Sequence, residues 1–148
     1  MILQFIVCFF ATLSFAVLFS APKRELIFCG LTGAAGWMVY LLLIDANAGL
    51  AVANLGASFT LTLISRIFAA MKRHPVTVYL LAGIFPLVPG AGIYYTSYYF
   101  IMHEMEQFAA KGAETLIVAG SIVFGIVFGF SLPQNIFNAL PRIPQKTH

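Results

Sequence analysis

Charge is what this chain of 148 residues has least of: 9% of it is Asp, Glu, Lys or Arg, while 61% is hydrophobic. A soluble domain of this size cannot keep such a composition in solution, which makes the chain an integral membrane protein. Cysteine is scarce as well. Cys8 and Cys29 both fall in apolar runs, which argues against a disulfide framework and makes each a small buried hydrophobe. Basic residues outnumber acidic ones, eight to five, but they are scattered over short loops. With no basic patch, nucleic-acid binding is set aside, and the excess belongs to membrane orientation. Metal ligands are wanting: His103-Glu104-Met105-Glu106-Gln107 resembles a zinc-protease helix but places Gln107 where the second histidine belongs. No serine combines a suitable context with a histidine inside the membrane, so an intramembrane hydrolase has little support. The expectation is no metal, no cofactor and no enzyme activity.

What the chain does have is long apolar runs. Residues 2–21 are uncharged and, at 1.5 Å per residue, make about 30 Å of helix, enough to span a bilayer. A cleaved leader would want a basic start and small residues before the cut, whereas Met1-Ile2-Leu3-Gln4 has no basic side chain and Phe19 spoils the small-residue pattern, so the span is read as retained. Pro22-Lys23-Arg24-Glu25 ends it. Further spans are expected at 26–44, 48–70, 76–102 and 115–132, followed by a short cytoplasmic tail at 133–148. The polar stretch from His103 to Glu114 reads as an extension of the fourth helix lying near the interface. The fold class is thus an all-α membrane protein of five transmembrane helices in a single membrane domain.

The fourth span cannot be continuous helix. Within Gly83-Ile84-Phe85-Pro86-Leu87-Val88-Pro89-Gly90-Ala91-Gly92, each interior proline removes a backbone donor and clashes with the preceding turn, at about 3 kcal/mol. A broken helix in hydrocarbon survives only where protein or water satisfies the freed groups, so the break marks a binding or permeation site. The half-helix that restarts near Gly90 or Ala91 presents unpaired N–H groups and a partial positive charge, which suits a carboxylate. Pro86, Pro89, Gly90, Ala91, Gly92, Tyr94, Tyr95 and Thr96 are the candidate substrate-binding residues, and a side chain at Gly90 is expected to obstruct the ligand. Tyr94, Tyr95, Tyr98 and Tyr99 form two i,i+4 pairs, of which Tyr98 and Tyr99 suit the membrane interface. Asn54 and Ser58 share a face of the third span, as interhelical hydrogen bonds or as pathway lining. Ser121, Gly125 and Gly129 recur every four residues, a small-residue stripe for close helix packing.

Five spans put the first and third connections and the tail on one side, with Lys23, Arg24, Arg66, Lys72, Arg73, Arg142 and Lys146, against Lys111 on the other. The positive-inside rule then places the N-terminus outside and the C-terminus in the cytoplasm. A re-entrant break would weaken that bias, so a full crossing is expected.

Four short motifs carry a family resemblance: Pro22-Lys23-Arg24, Arg73-His74-Pro75, Ile84-Phe85-Pro86-Leu87-Val88-Pro89-Gly90 and Ser131-Leu132-Pro133. Over about residues 20–133 the chain resembles the small half of the threonine/serine exporter (ThrE) family, the YjjB-like subunit of a two-component succinate exporter. That resemblance implies a proton-driven exporter in the bacterial inner membrane whose substrate is threonine and serine or a C4-dicarboxylate such as succinate. It also implies a larger, YjjP-like membrane subunit as partner, because in single-chain members this half follows a larger one with a soluble, hydrolase-like segment that is absent here. Only residues 86–92 are carried over as functional positions. Homo-oligomerisation is compatible with all of this, and a non-transporting scaffold or assembly subunit is the alternative.

Overall fold

A computed structural model describes residues 2–133; all of the expected tail beyond Pro133, with Arg142 and Lys146, lies outside the described residues. Every regular element among the described residues is helical: α1 Ile2–Leu18, α2 Leu26–Asp45, α3 Leu50–Lys72, α4 Val76–Ile84, a 3-10 turn at Phe85–Leu87, α5 Gly90–Ile101 and α6 Met105–Ser131. Three of them, α2, α3 and α6, are long and apolar enough to cross a membrane, and α4 with α5 makes a fourth if the bent pair is one span. The first run is shorter than expected. Its helix ends at Leu18 after 17 residues, or roughly 26 Å, because the chain turns at Ser20, whose φ is 56°.

The chain's own turn residues set these boundaries. Gly49, at φ 83°, starts α3 from a backbone conformation that other residues rarely adopt, and Arg73 ends it in the left-handed region at φ 58°. His103 does the same after α5, at φ 59°. Residues 105–114 therefore do not prolong the fourth helix. They begin α6, since Met105-Glu106-Gln107-Phe108-Ala109-Ala110-Lys111 contains good helix formers and no breaker.

Packing runs from α6 through α3 and α2 to α1, with α4 set among α1, α2 and α3, and α5 resting on α6. One core layer joins Ala16, Cys29, Ala69, Tyr79 and Ala82; the other joins Ala57, Leu61, Leu87, Val118 and Ile122. Small residues let the backbones approach. The α3–α6 seam interlocks Ser58 and Thr62 with Gly125 and Gly129: a Cβ on Gly129 would lie 2.6 Å from the Thr62 methyl, and one on Gly125 would collide with the Ser58 hydroxyl and the Leu55 carbonyl. The buried hydroxyls of four core residues stay within their own helices. Thr12, Thr32, Thr62 and Ser65 each donate to the carbonyl four residues back at 2.8 Å, so each hydroxyl is satisfied within its own helix and serves its neighbour as a small packing surface. Arg66, 6% exposed, donates to the carbonyls of Gly129 at 2.7 Å and Leu132 at 2.8 Å, tying α3 to the open carbonyl end of α6. Outward faces stay apolar, with Phe10, Ile27, Leu116, Ile117, Phe124 and Phe128 all more than half exposed. Such faces suit hydrocarbon, and the chain is a membrane protein.

Candidate functional site

The break is real and lies between two helices of different surroundings. Pro86 and Pro89 frame a short bridge in which Val88 N–H reaches Phe85 O at 3.2 Å and Gly90 N–H reaches Val88 O at 2.7 Å. The two half-helices meet at 50°. Phe85 is held from the side by α1, its ring centroid 4.4 Å from that of Phe15 and 5.1 Å from that of Phe19. Ile93 N–H is the first amide of α5 beyond Gly90 to find a backbone acceptor, Pro89 O at 3.0 Å. Among the described residues the amides of Ala91 and Gly92 have no backbone acceptor, as the first turn of a helix requires.

Beside this end lies a cavity of about 290 Å³. Its walls come from α2 (Trp37, Tyr40), α3 (Leu50, Asn54), the break (Pro86, Leu87, Val88, Pro89), α5 (Ala91, Gly92, Tyr95) and α6 (Lys111, Glu114, Thr115, Val118). Five of the eight sequence-level candidates line it: Pro86, Pro89, Ala91, Gly92 and Tyr95. Gly90 does not. A side chain there would meet nothing within 4 Å, and the close approach expected at Gly90 occurs at Gly92, where a Cβ would lie 2.5 Å from Thr115 Oγ1 on α6. Tyr94 is 63% exposed on the outer side of α5, and Thr96 points its hydroxyl back to Gly92 O at 2.7 Å. The expected pairs are present, with Tyr94 stacked on Tyr98 and Tyr95 on Tyr99.

The third-span pair separates. Asn54 lines the cavity and commits one amide proton to Leu50 O at 2.8 Å, whereas Ser58 is fully buried in the α3–α6 seam. Gly125 and Gly129 are consumed by that same seam, and Ser121, half-buried one turn before them, donates to Ile117 O at 2.7 Å. The small-residue stripe is thus used within the chain.

Residues that the sequence reading passed over carry the charge of the site. Lys111 and Glu114 are both cavity residues and pair at 2.8 Å, an i,i+3 contact on one face of α6. Thr115 stands beside them and donates to Lys111 O at 2.7 Å. From α2, Trp37 and Tyr40 stack at 5.0 Å and form the facing wall. The spacing of Lys111, Glu114 and Thr115 was a usable signal once residues 105–114 are taken as the start of α6. Lys111, Glu114, Tyr95 and the start of a helix whose Ala91 and Gly92 amides lack a backbone acceptor therefore line one small cavity, an arrangement that can hold a polar ligand of both charges. Among the described residues no group of three or more His, Cys, Asp or Glu could hold a metal ion.

No solved structure matches the chain. The family model described as Threonine/Serine exporter, ThrE, matches residues 4–132, a stretch that takes in both halves of the broken span and every cavity residue. The chain belongs to the threonine/serine exporter (ThrE) family.

Proposed function

We propose that the chain is the small subunit of a proton-coupled secondary exporter and that its cavity at the break holds a small zwitterionic amino acid, threonine or serine, in preference to a dicarboxylate such as succinate. The observation that carries this is the Lys111–Glu114 pair, which puts one cation and one anion 2.8 Å apart in the cavity wall. An α-amino acid presents its carboxylate and ammonium on neighbouring atoms. It can lay the carboxylate against Lys111 and the amides of Ala91 and Gly92, and the ammonium against Glu114, giving alternating charges. Succinate would set two negative charges against a single cation with Glu114 repelling one of them. The size agrees with a small ligand, since 290 Å³ sits at the low end of the roughly 300–1,000 Å³ of small-molecule pockets. Discontinuous helices whose N-termini face a substrate carboxylate recur in secondary transporters.

The cavity is built from the far half of α2 and the near halves of α3 and α6, opposite the end where the basic α1–α2 and α3–α4 turns meet. With those turns in the cytoplasm, the N-terminus outside and the C-terminus inside, it faces out of the cell across the inner membrane. A larger ThrE-family subunit completes the transporter. Because the small-residue stripe is used internally, that subunit or a second copy has the outer face of α5 to dock on.

Export of labelled threonine, serine and succinate from cells holding both subunits tests the reading. Lys111→Gln removes the cation of the pair and is expected to lower threonine export tenfold or more. Glu114→Gln is expected to weaken threonine export while leaving or raising succinate export. Succinate outcompeting threonine in the wild type, with Glu114→Gln indifferent, would make the substrate a dicarboxylate. Export of neither that depends on the chain would make it a scaffold subunit.

A further inference from the structure

A second charged cluster lies at the opposite end of the bundle. Glu25, the residue before α2, is 3% exposed, and its carboxylate is shared by three other elements. Oε2 accepts a hydrogen bond of 2.8 Å from the Tyr79 hydroxyl on α4, itself fully buried. Oε1 lies 3.8 Å from Lys72 Nζ at the end of α3 and 3.8 Å from His74 Nε2 in the α3–α4 turn. Lys72 in turn sits over the Phe28 ring, 4.2 Å from its centroid. Cys29, one turn along α2, is a further titratable neighbour, its thiol donating to Val78 O at 3.5 Å, and Arg24 adjoins Glu25 in the chain. α1 brings no ionisable side chain to this end, since Cys8, the one it has, bonds Gly33 O instead. A buried carboxylate is tolerated only when paired and hydrogen-bonded, so Tyr79 and Lys72 hold Glu25 in place. His74 is the most exposed member of the group, its side chain 29% exposed against 17% for Lys72, and histidine is the side chain that ordinarily changes charge between pH 5 and 8.

We propose that His74 and Glu25 form a proton-binding latch that fastens the α3–α4 turn to the α1–α2 turn and so sets the position of α4 and of the break. A proton taken from water by the imidazole turns a neutral contact into an ion pair with Glu25; its return to water releases the pair, while Lys72 and Tyr79 keep their hold on the carboxylate. Two routes lead from the latch to the cavity. Tyr79 is seven residues before Pro86, about 10 Å along α4, and Phe19, at the start of the α1–α2 turn, packs its ring at a tilt against Phe85 of the break, 5.1 Å between centroids. The link between this latch and export rests on the proposed role of the cavity; the latch itself does not.

The chain's single tryptophan, Trp37, lines the cavity and reports on it without any substrate. Purified full-length chain in phosphatidylcholine vesicles would be titrated from pH 5 to 8, reading Trp37 emission and its quenching by acrylamide. The wild type is expected to show one sigmoidal transition. His74→Gln and Glu25→Gln are each expected to abolish it, and His74→Lys to hold the low-pH signal across the range. His74→Gln leaves no buried charge unpaired, so a folding defect in the Glu25 variant does not remove the test. A flat wild-type titration, or a transition that survives either His74→Gln or Glu25→Gln, overturns the latch. Loss of substrate dependence in the export assays with the Trp37 transition intact overturns the export reading alone.

Discussion

The two halves of the broken span both carry apolar residues and have opposite fates. α4 is embedded among three helices, with Tyr79, Ala82 and Gly83 buried, whereas α5 has no buried residue and leans chiefly on α6. Two prolines and a 50° bend separate a half-helix that is part of the core from one that is a wall of the cavity. The lesson is that apolar character alone does not tell a segment packed in the core from one that walls a cavity. Neighbours do, and here the neighbours are assigned by small residues: Gly83 lets α4 approach α2 and α3, and Gly92 lets α5 approach α6 at Thr115.

That contrast can be broken most severely away from both halves, at the seam that fixes the frame. Gly125→Val would drive a branched side chain into the Leu55 carbonyl and Phe59 amide of α3, backbone atoms that cannot step aside. The expected loss is about 3 kcal/mol, the upper range of overpacking, read as a lowered unfolding temperature in detergent; an unchanged midpoint would mean the seam is loose. On the cavity side, Gly92→Ala presses on Thr115 and is expected to cut export several-fold with little change in that temperature. Removing the obstruction with Thr115→Ala in the same chain should restore it, and a double variant no better than the single one would show that the glycine matters for another reason. The smallest effect belongs to Gly90→Ala, whose added methyl enters open space. Stability and export are both expected within about 0.5 kcal/mol of wild type, and a large loss would put ligand contact back at Gly90.

Much of this protein follows from local rules that need no partner. Long uncharged runs separated by Pro22, Asn47 and Pro75 dictate helices in a membrane, because lipid offers no acceptor for an unpaired amide. Pro86 and Pro89 dictate a break for the same reason, and Tyr94, Tyr95, Tyr98 and Tyr99 pair as helical spacing requires. Tertiary structure decided what those elements do. It turned Ser58, Gly125 and Gly129 into one seam, moved the close approach from Gly90 to Gly92, and brought Lys111 and Glu114 to the cavity because α6 starts at Met105, well before its apolar run. It also buried Glu25 against Tyr79, Lys72 and His74, residues more than forty positions away. Helix spacing is written in the local chain, but which faces meet depends on the volumes and charges of side chains distant in sequence, and that is settled only when the helices pack.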